Sequence, residues 1–382
     1  MVCKLDVGLH LFMKKLTGHT LFTLLFPLIM ACLGNLPAVS AIAQSIDTSI
    51  SDTTPPPRFV SSRTNHDSTP PLIPTPWLES SRTNPTPYFV SPRTKSNPDT
   101  PNIRQRTIAM SGIHVGLYTG TLLLLNEAWY KDYPKSKMHT FNDMDEWLQV
   151  DKVGHTWSAF QLSRMSYAGW RWTGMPDKKA VWLAGASGFG FQTVVEILDG
   201  YSEEWGWSWG DFAANFIGSS LFVSQNLAWK EERISFKFGF HKMNYDDPQL
   251  NKRSDELFGS SLPERMLKDY NGQTYWLSAN LKSFFKQSKL PPWLNMAVGY
   301  GATGMFGGTE NIWTDPDTNQ EINRTDIPRR RQFYLALDID FTRIKTNSKW
   351  MRSLFYAMNV IKIPAPTLML SKGKLTVHGF YF

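Results

Sequence analysis

Cysteine is nearly absent from this chain: Cys3 and Cys32 are the only two in 382 residues. A disulfide framework or a thiolate metal site beyond the N-terminus is therefore excluded. Short catalytic signatures are scarce as well. There is no HExxH pair and no phosphate-binding GxxxxGK[ST] loop, so zinc-peptidase and P-loop chemistry have no foothold. Long runs of one charge are missing too. The net charge of +7 is scattered, and Arg329–Arg331 is the one short basic run, read as a solvated loop. No basic stretch is interleaved with aromatics, so no nucleic-acid partner is expected.

What is abundant is aromatic. Phe, Trp and Tyr make up 14% of the chain and tryptophan alone contributes 15 residues. Such a content suits a membrane interface, where amphipathic rings are favoured, and equally suits one large aromatic core. A membrane partner is expected on this ground.

The N-terminus reads as an export signal. Lys14 and Lys15 follow Met13, Leu21 to Leu33 is apolar but short for a spanning helix, and Ala41-Ile42-Ala43 is a small-residue cleavage box. Ile29-Met30-Ala31-Cys32 offers a second use, a lipobox with acylation at Cys32; cleavage after Ala43 is the favoured reading. Residues 1–43 are thus taken as the signal, and the protein as exported to the periplasm or outer membrane of a Gram-negative bacterium. Residues 44–106 are rich in Pro, Ser and Thr and carry a degenerate FVSxRT repeat at Phe59, Leu78 and Phe89. Such a composition cannot offset its ordering entropy, which predicts a disordered linker.

Residues 107–230 hold four apolar segments predicted as helices: Ile108–Tyr130, Trp147–Trp172, Lys178–Leu198 and Trp209–Trp229. The first carries Gly112, Gly116 and Gly120 on one face, a surface for close helix approach. It contains His114 and ends near Glu127, and its length fits a membrane span or a buried bundle helix. Ser208 is placed as the N-cap of the last helix with Asp211 at N3. Joined by short loops, the four predict a helical bundle.

Polar pairs lie near the ends of three of these helices. Asp151 and His155 are four apart, Glu196 and Asp199 three apart, Asp211 and Asn215 four apart, so each pair shares a face. Carboxylates in apolar surroundings are costly unless paired, protonated or used. The candidate catalytic residues are Asp151, His155, Glu196 and Asp211. The candidate ligands of a divalent metal are His155, Glu196, Asp199 and Asp211. Metal-free acid–base chemistry is the other use, because clustered carboxylates raise one another's pKa beside a histidine. Lys152, Ser208 and Asn215 complete the polar set, with Lys152 suited to an anionic group.

The run Asp151-Lys152-x-x-His155, then Glu196-x-x-Asp199-Gly200, then Ser208-Trp209-Gly210-Asp211-x-x-x-Asn215-x-x-Gly218 resembles the YfiM-type family of predicted periplasmic lipoproteins, a domain of unknown function. It is similar, more distantly, to VanZ-like membrane proteins. The likeness covers roughly residues 108–230 and implies an envelope location and a polar site on a helical scaffold; it supplies no reaction.

Residues 231–382 change character. Ser235–His241, Thr274–Phe284, Leu294–Met305, Gln332–Arg343 and Lys374–Phe382 alternate as strands. A short helix is expected around Leu262–Tyr270 and a turn at Asn271-Gly272. Ser353–Val360 fits helix or strand, and Gly307–Arg331 reads as a long polar loop. The terminal aromatic on an amphipathic strand resembles outer-membrane barrels. The fold expectation is therefore α+β: an N-terminal four-helix bundle followed by a β-rich region, either a barrel or an ordinary sheet packed on the bundle. Two functions follow. One is an envelope enzyme acting on lipid or cell-wall precursors; the other is a structural or assembly protein whose polar cluster locks its helices.

Overall fold

The computed structural model describes residues 102–126, 130 and 133–382. The export signal, the linker with its repeats, and Glu127 lie outside the described residues. Helix α1 is Ile103–Leu125, α2 is Val150–Trp172, α3 is Asp177–Gly200 and α4 is Trp209–Trp229.

Helix α2 is the centre. Its Phe160 meets Phe222 of α4 on one side and Phe236 of the first strand on the other. Close approach is built in with glycine: a Cβ on Gly188 of α3 would strike Ser163 and the Ala159 carbonyl, and one on Gly218 of α4 would strike the Thr156 carbonyl. Helix α1 lies against this trio along one strip only. His114 stacks on Trp170 at 4.8 Å, and the Tyr118 hydroxyl lies 3.0 Å from that of Ser166. The four-helix bundle is thus not confirmed. The face that packs is Met110–His114–Tyr118; nothing lies within 4 Å of where a Cβ would sit on Gly112, Gly116 or Gly120. Helices α1 and α3 are long and apolar enough to cross a membrane by length and composition.

Helix α2 starts three residues later than expected. Trp147, Leu148 and Gln149 have φ of 46°, 50° and 62°, left-handed conformations that side chains disfavour. Tertiary contacts hold them. The Trp147 amide donates to the Gly308 carbonyl at 2.7 Å, its ring packs on Tyr270, and the Tyr300 hydroxyl donates to the Leu148 carbonyl.

The C-terminal half is an antiparallel six-stranded sheet in the order β1-β2-β3-β6-β7-β8. The strands are β1 Ile234–Phe240, β2 Gln273–Asn280, β3 Leu294–Thr303, β6 Arg330–Ile339, β7 Ala365–Ser371 and β8 Lys374–Tyr381. A separate hairpin, β4 Ile312–Thr314 with β5 Glu321–Asn323, folds inside the stretch read as a long polar loop. Of the basic run, Arg330 and Arg331 begin β6 rather than a loop, while Arg329 is tied to the Gly307 and Gly308 carbonyls. Short helices α5 Pro248–Phe258, α6 Leu262–Lys268 and α7 Lys349–Met358 fill the connections.

The sheet does not close into a barrel: β1 and β8 are its two edges. It curls enough that the Phe382 backbone fills the space a Cβ on Gly239 of β1 would need. The outer edge of β1 is satisfied locally, by the Phe238 amide to the Val360 carbonyl at 2.9 Å and the Lys362 amide to the Phe238 carbonyl at 2.8 Å.

The alternation runs in an unusual sense. In β6, Tyr334, Ala336 and Asp338 are buried while Phe333, Leu335 and Leu337 are exposed. Two fully buried lysines converge on Asp338, Lys237 at 2.8 Å and Lys362 at 3.6 Å, and Ser278 donates to the same carboxylate at 2.6 Å. Both ammonium groups also donate to backbone carbonyls, which satisfies the buried charges.

Candidate polar site at the helix ends

The sequence-marked polar residues meet where α2 and α4 begin and α3 ends. Ser208 caps α4 by accepting from the Asp211 amide at 3.0 Å, as expected. The cap fixes Asp211 toward α2. Lys152 lies at the centre, with Nζ 2.6 Å from Asp143, 2.9 Å from Asp211 and 3.2 Å from Asp151. One turn on, His155 has two different sides. Its Nδ1 is 3.2 Å from Glu196 Oε1 and 3.3 Å from Asn215 Oδ1. Its Nε2 is 3.9 Å from both Asp151 Oδ1 and Asp211 Oδ1. Asn215 is fixed in turn, donating to Glu196 and accepting from Gln192, each at 3.2 Å.

Asp151, His155 and Asp211 each present a ligand atom within 4.8 Å of the other two. This set differs from the one expected. Glu196 is close to the cluster but reaches it through the far nitrogen of His155. Asp199 accepts from the Tyr130 hydroxyl at 2.6 Å and has no contact with the trio. Asp151 takes its place and is itself held by the Tyr270 hydroxyl at 2.7 Å. Asp211 Oδ1 is buried and, despite the nearby ammonium, makes no well-aligned hydrogen bond.

Charge is unbalanced here. Four carboxylates, Asp143, Asp151, Glu196 and Asp211, surround Lys152 and His155, and Asp199 adds a fifth farther off. Burial pushes Glu196 up to about 8, with His155 opposing and the other acids adding. Burial likewise lifts Asp211 to about 7 and Asp199 to about 6. For His155 burial acts against the charged form, but Asp151, Asp211 and Glu196 overcome it and raise the imidazole to about 9. Asp143 and Asp151 go the other way. Burial would raise both, and it is outweighed at Asp143 chiefly by hydrogen bonds within the cluster and at Asp151 by His155 and Lys152. The cluster therefore keeps protons that isolated carboxylates would release.

A cavity of about 640 Å³ opens beside the cluster, its lining including the apolar Phe141, Met144, Trp209 and Ile217 and the polar Asn142, Asp143, Gln149 and Lys152. His155, Glu196 and Asp211 do not line it. Lys152 thus stands between cavity and cluster.

Three contributors were not legible in the sequence. Asp143 sits in a loop without periodicity, Tyr270 comes from the turn before β2, and Gln192 looked like an ordinary helix position. Gly206-Trp207-Ser208-Trp209-Gly210 has the G-x-S-x-G spacing of a nucleophile elbow, against the expectation that the chain holds none. The geometry removes it: Ser208 is buried and its hydroxyl donates to Asp143 at 2.7 Å while capping α4.

No curated protein and no solved structure matches the chain. A relation to VanZ-like proteins is not shown. The model of a family described as predicted periplasmic lipoprotein, DUF2279, matches residues 140–226. That description agrees with an exported, envelope-associated protein and with the lipobox use of Cys32. The segment that holds the site, from Asp143 to Asp211 and Asn215, is thus similar to the predicted periplasmic lipoprotein family DUF2279.

Proposed function

We infer that the cluster binds a divalent cation through Asp151, His155 and Asp211 and uses it to hydrolyse the polar head of an envelope amphiphile, a lipid or a lipid-borne cell-wall precursor. The observation that carries this reading is the grouping of three ligand atoms within 4.8 Å. Supporting it, Glu196 takes the second nitrogen of His155, the partner that orients metal-bound imidazoles. An excess of carboxylates over cations, with a buried Asp211 oxygen lacking an aligned donor, is what a divalent ion would relieve. An anionic head approaching from the cavity would first meet the Lys152 ammonium, and a cation behind it would add to that attraction. A cavity lined both by apolar side chains and by Lys152 and Asp143 suits a molecule with one greasy and one charged part.

The test is calorimetric titration of the full chain in detergent with Mn²⁺ and Zn²⁺. One ion per chain is expected, with affinity lost by at least about 100-fold in His155→Ala and Asp211→Asn, and lowered about 10- to 100-fold in Glu196→Gln. Lys152→Met removes a built-in competing cation, so it tightens binding.

A second reading has its own observation: Lys152 already bridges three carboxylates, and His155, Glu196 and Asp211 are absent from the cavity lining. The cluster would then lock three helices without chemistry. It predicts no cation binding, and variants whose loss of function tracks their loss of thermal stability.

A further inference from the structure

We propose that the outer wall of the sheet, formed by β3, β6, β7 and β8, lies against the hydrocarbon of a lipid bilayer. This is independent of what the polar cluster does. In a sheet facing water the buried side is apolar and the open side polar. Here the open side is apolar on four adjacent strands, while buried charge sits on the closed side. The inside of these strands holds a small aromatic cluster around Tyr334 and Trp276 and, beside it, Asp338 of β6 buried with Lys237 of β1 and Lys362, which precedes β7, each at no more than 2% exposure. The outside presents Val298, Phe333, Leu335, Leu337, Leu370 and Val377, the last 73% exposed. No charged side chain interrupts this wall between its ends. Polar inside and apolar outside is the pattern of strands solvated by lipid. From Phe333 to Ile339 the band is about 20 Å tall at roughly 3.3 Å per residue, close to the apolar height of lipid-facing strands.

The two ends of the wall carry the complementary charge. One end has Arg330, Arg331, Lys372 and Lys374; the other has Lys286, Lys289, Lys345 and Lys349, all exposed. The segments 281–293, 344–352 and 371–374 contain no Asp or Glu, while the β3–β6 connection at the first end carries Glu310, Asp315, Asp317, Glu321 and Asp326. The second rim, basic across these segments beside an apolar band, fits phosphate headgroups. Trp293 and Trp350, exposed at 40% and 66%, stand at the second rim, where indoles favour the interface. The first rim is tied to the polar cluster: Arg331 donates to Gln149 at 2.6 Å, and Gln149 precedes α2. The helix-end site thus stands at headgroup height, outside the lipid-facing strands.

The experiment uses the full chain in vesicles of phosphatidylethanolamine and phosphatidylglycerol. Cys3 and Cys32 are removed by cleavage after Ala43, or Cys3 is removed and Cys32 acylated, so an introduced thiol is the only free one. A fluorophore is attached at Leu335→Cys, Leu370→Cys or Asp317→Cys, the last in the exposed β4–β5 hairpin, and circular dichroism confirms each fold. Lipids bearing a nitroxide near the chain end are expected to quench the first two at least about twofold and leave the third unchanged, while aqueous iodide shows the opposite order. Equal iodide quenching at Leu335→Cys and Asp317→Cys would overturn the proposal. So would efficient disulfide cross-linking between two Leu335→Cys chains without lipid quenching, which would show a second copy on the wall.

Discussion

His155 is gripped from two sides by unlike partners, and that asymmetry decides its chemistry. Glu196 and Asn215 hold Nδ1, which leaves Nε2 aimed between Asp151 and Asp211. A consequence follows for pH. His155 at about 9, Glu196 at about 8 and Asp211 at about 7 all lie above their ordinary values of 6.5, 4.5 and 3.8. In each case the folded protein holds its proton more tightly than the unfolded chain. The stabilisation is complete below the ordinary value and is lost as pH rises through the folded one. All three losses run in the same direction and the groups titrate as one coupled set, so the melting midpoint should fall between about pH 6 and about pH 9, by on the order of 5 °C. Glu196→Gln should shrink that fall, and so should saturating Mn²⁺, because the cation replaces the protons. A midpoint that rose with pH in this window would contradict the protonated cluster. Spacing alone could foresee this residue's role, since Asp151 and His155 share a helix face. It could not foresee that Asp199 would turn away to Tyr130.

At the scale of elements, periodicity found what repeats and missed what is punctuated. Helices α2, α3 and α4 and the alternating strands β1, β3, β6 and β8 were legible because a face is buried along their length. Strand β7 was not, because Pro366 interrupts its run; the structure accommodates it at a register shift between Ala365 and Thr367. The glycines of α1 misled for the opposite reason. A small-residue stripe permits close approach but does not supply a neighbour, and α1 packs through Met110, His114 and Tyr118 instead. Gly218 is the case where the permission is used. Gly218→Ala would drive its methyl into the Thr156 carbonyl and push α4 off α2 at the level just below Asp211 and His155. A destabilisation of about 1–3 kcal/mol is expected from overpacking. Cation affinity should fall with it, measured by denaturant titration beside calorimetry. Gly190→Ala, with nothing within 4 Å, should leave both unchanged or slightly improve stability.

For the whole molecule, the boundary of the family match does not coincide with the boundary of the physical unit. Residues 140–226 contain every acid of the cluster, yet the sheet beyond them supports it. Tyr270 holds Asp151, Tyr300 holds the left-handed turn at Leu148, and Tyr275 lies against Gly154. The other flank of α2 is covered by β1, through Phe160 on Phe236, Trp157 on Phe238, and Gln161 donating to the Phe236 carbonyl at 2.5 Å. Farther along, Arg164 is buried between Glu232 and the Tyr356 ring, tying α2 to the C-terminal half once more. A chain ending at residue 230 would therefore strip Phe160, Trp157 and a buried guanidinium of their partners in the C-terminal half. It is expected to lack a cooperative unfolding transition, read by near-ultraviolet circular dichroism. Tyr270→Phe in the intact chain makes the finer test. It deletes one hydroxyl from the shell of Asp151 and leaves the packing of the ring, so stability should change by about 1 kcal/mol or less. Cation affinity should drop by roughly 10-fold, the usual cost of losing an outer-shell partner. If the excised segment folded cooperatively and bound the cation as tightly as the full chain, the sheet would be a membrane device alone, with no part in building the site.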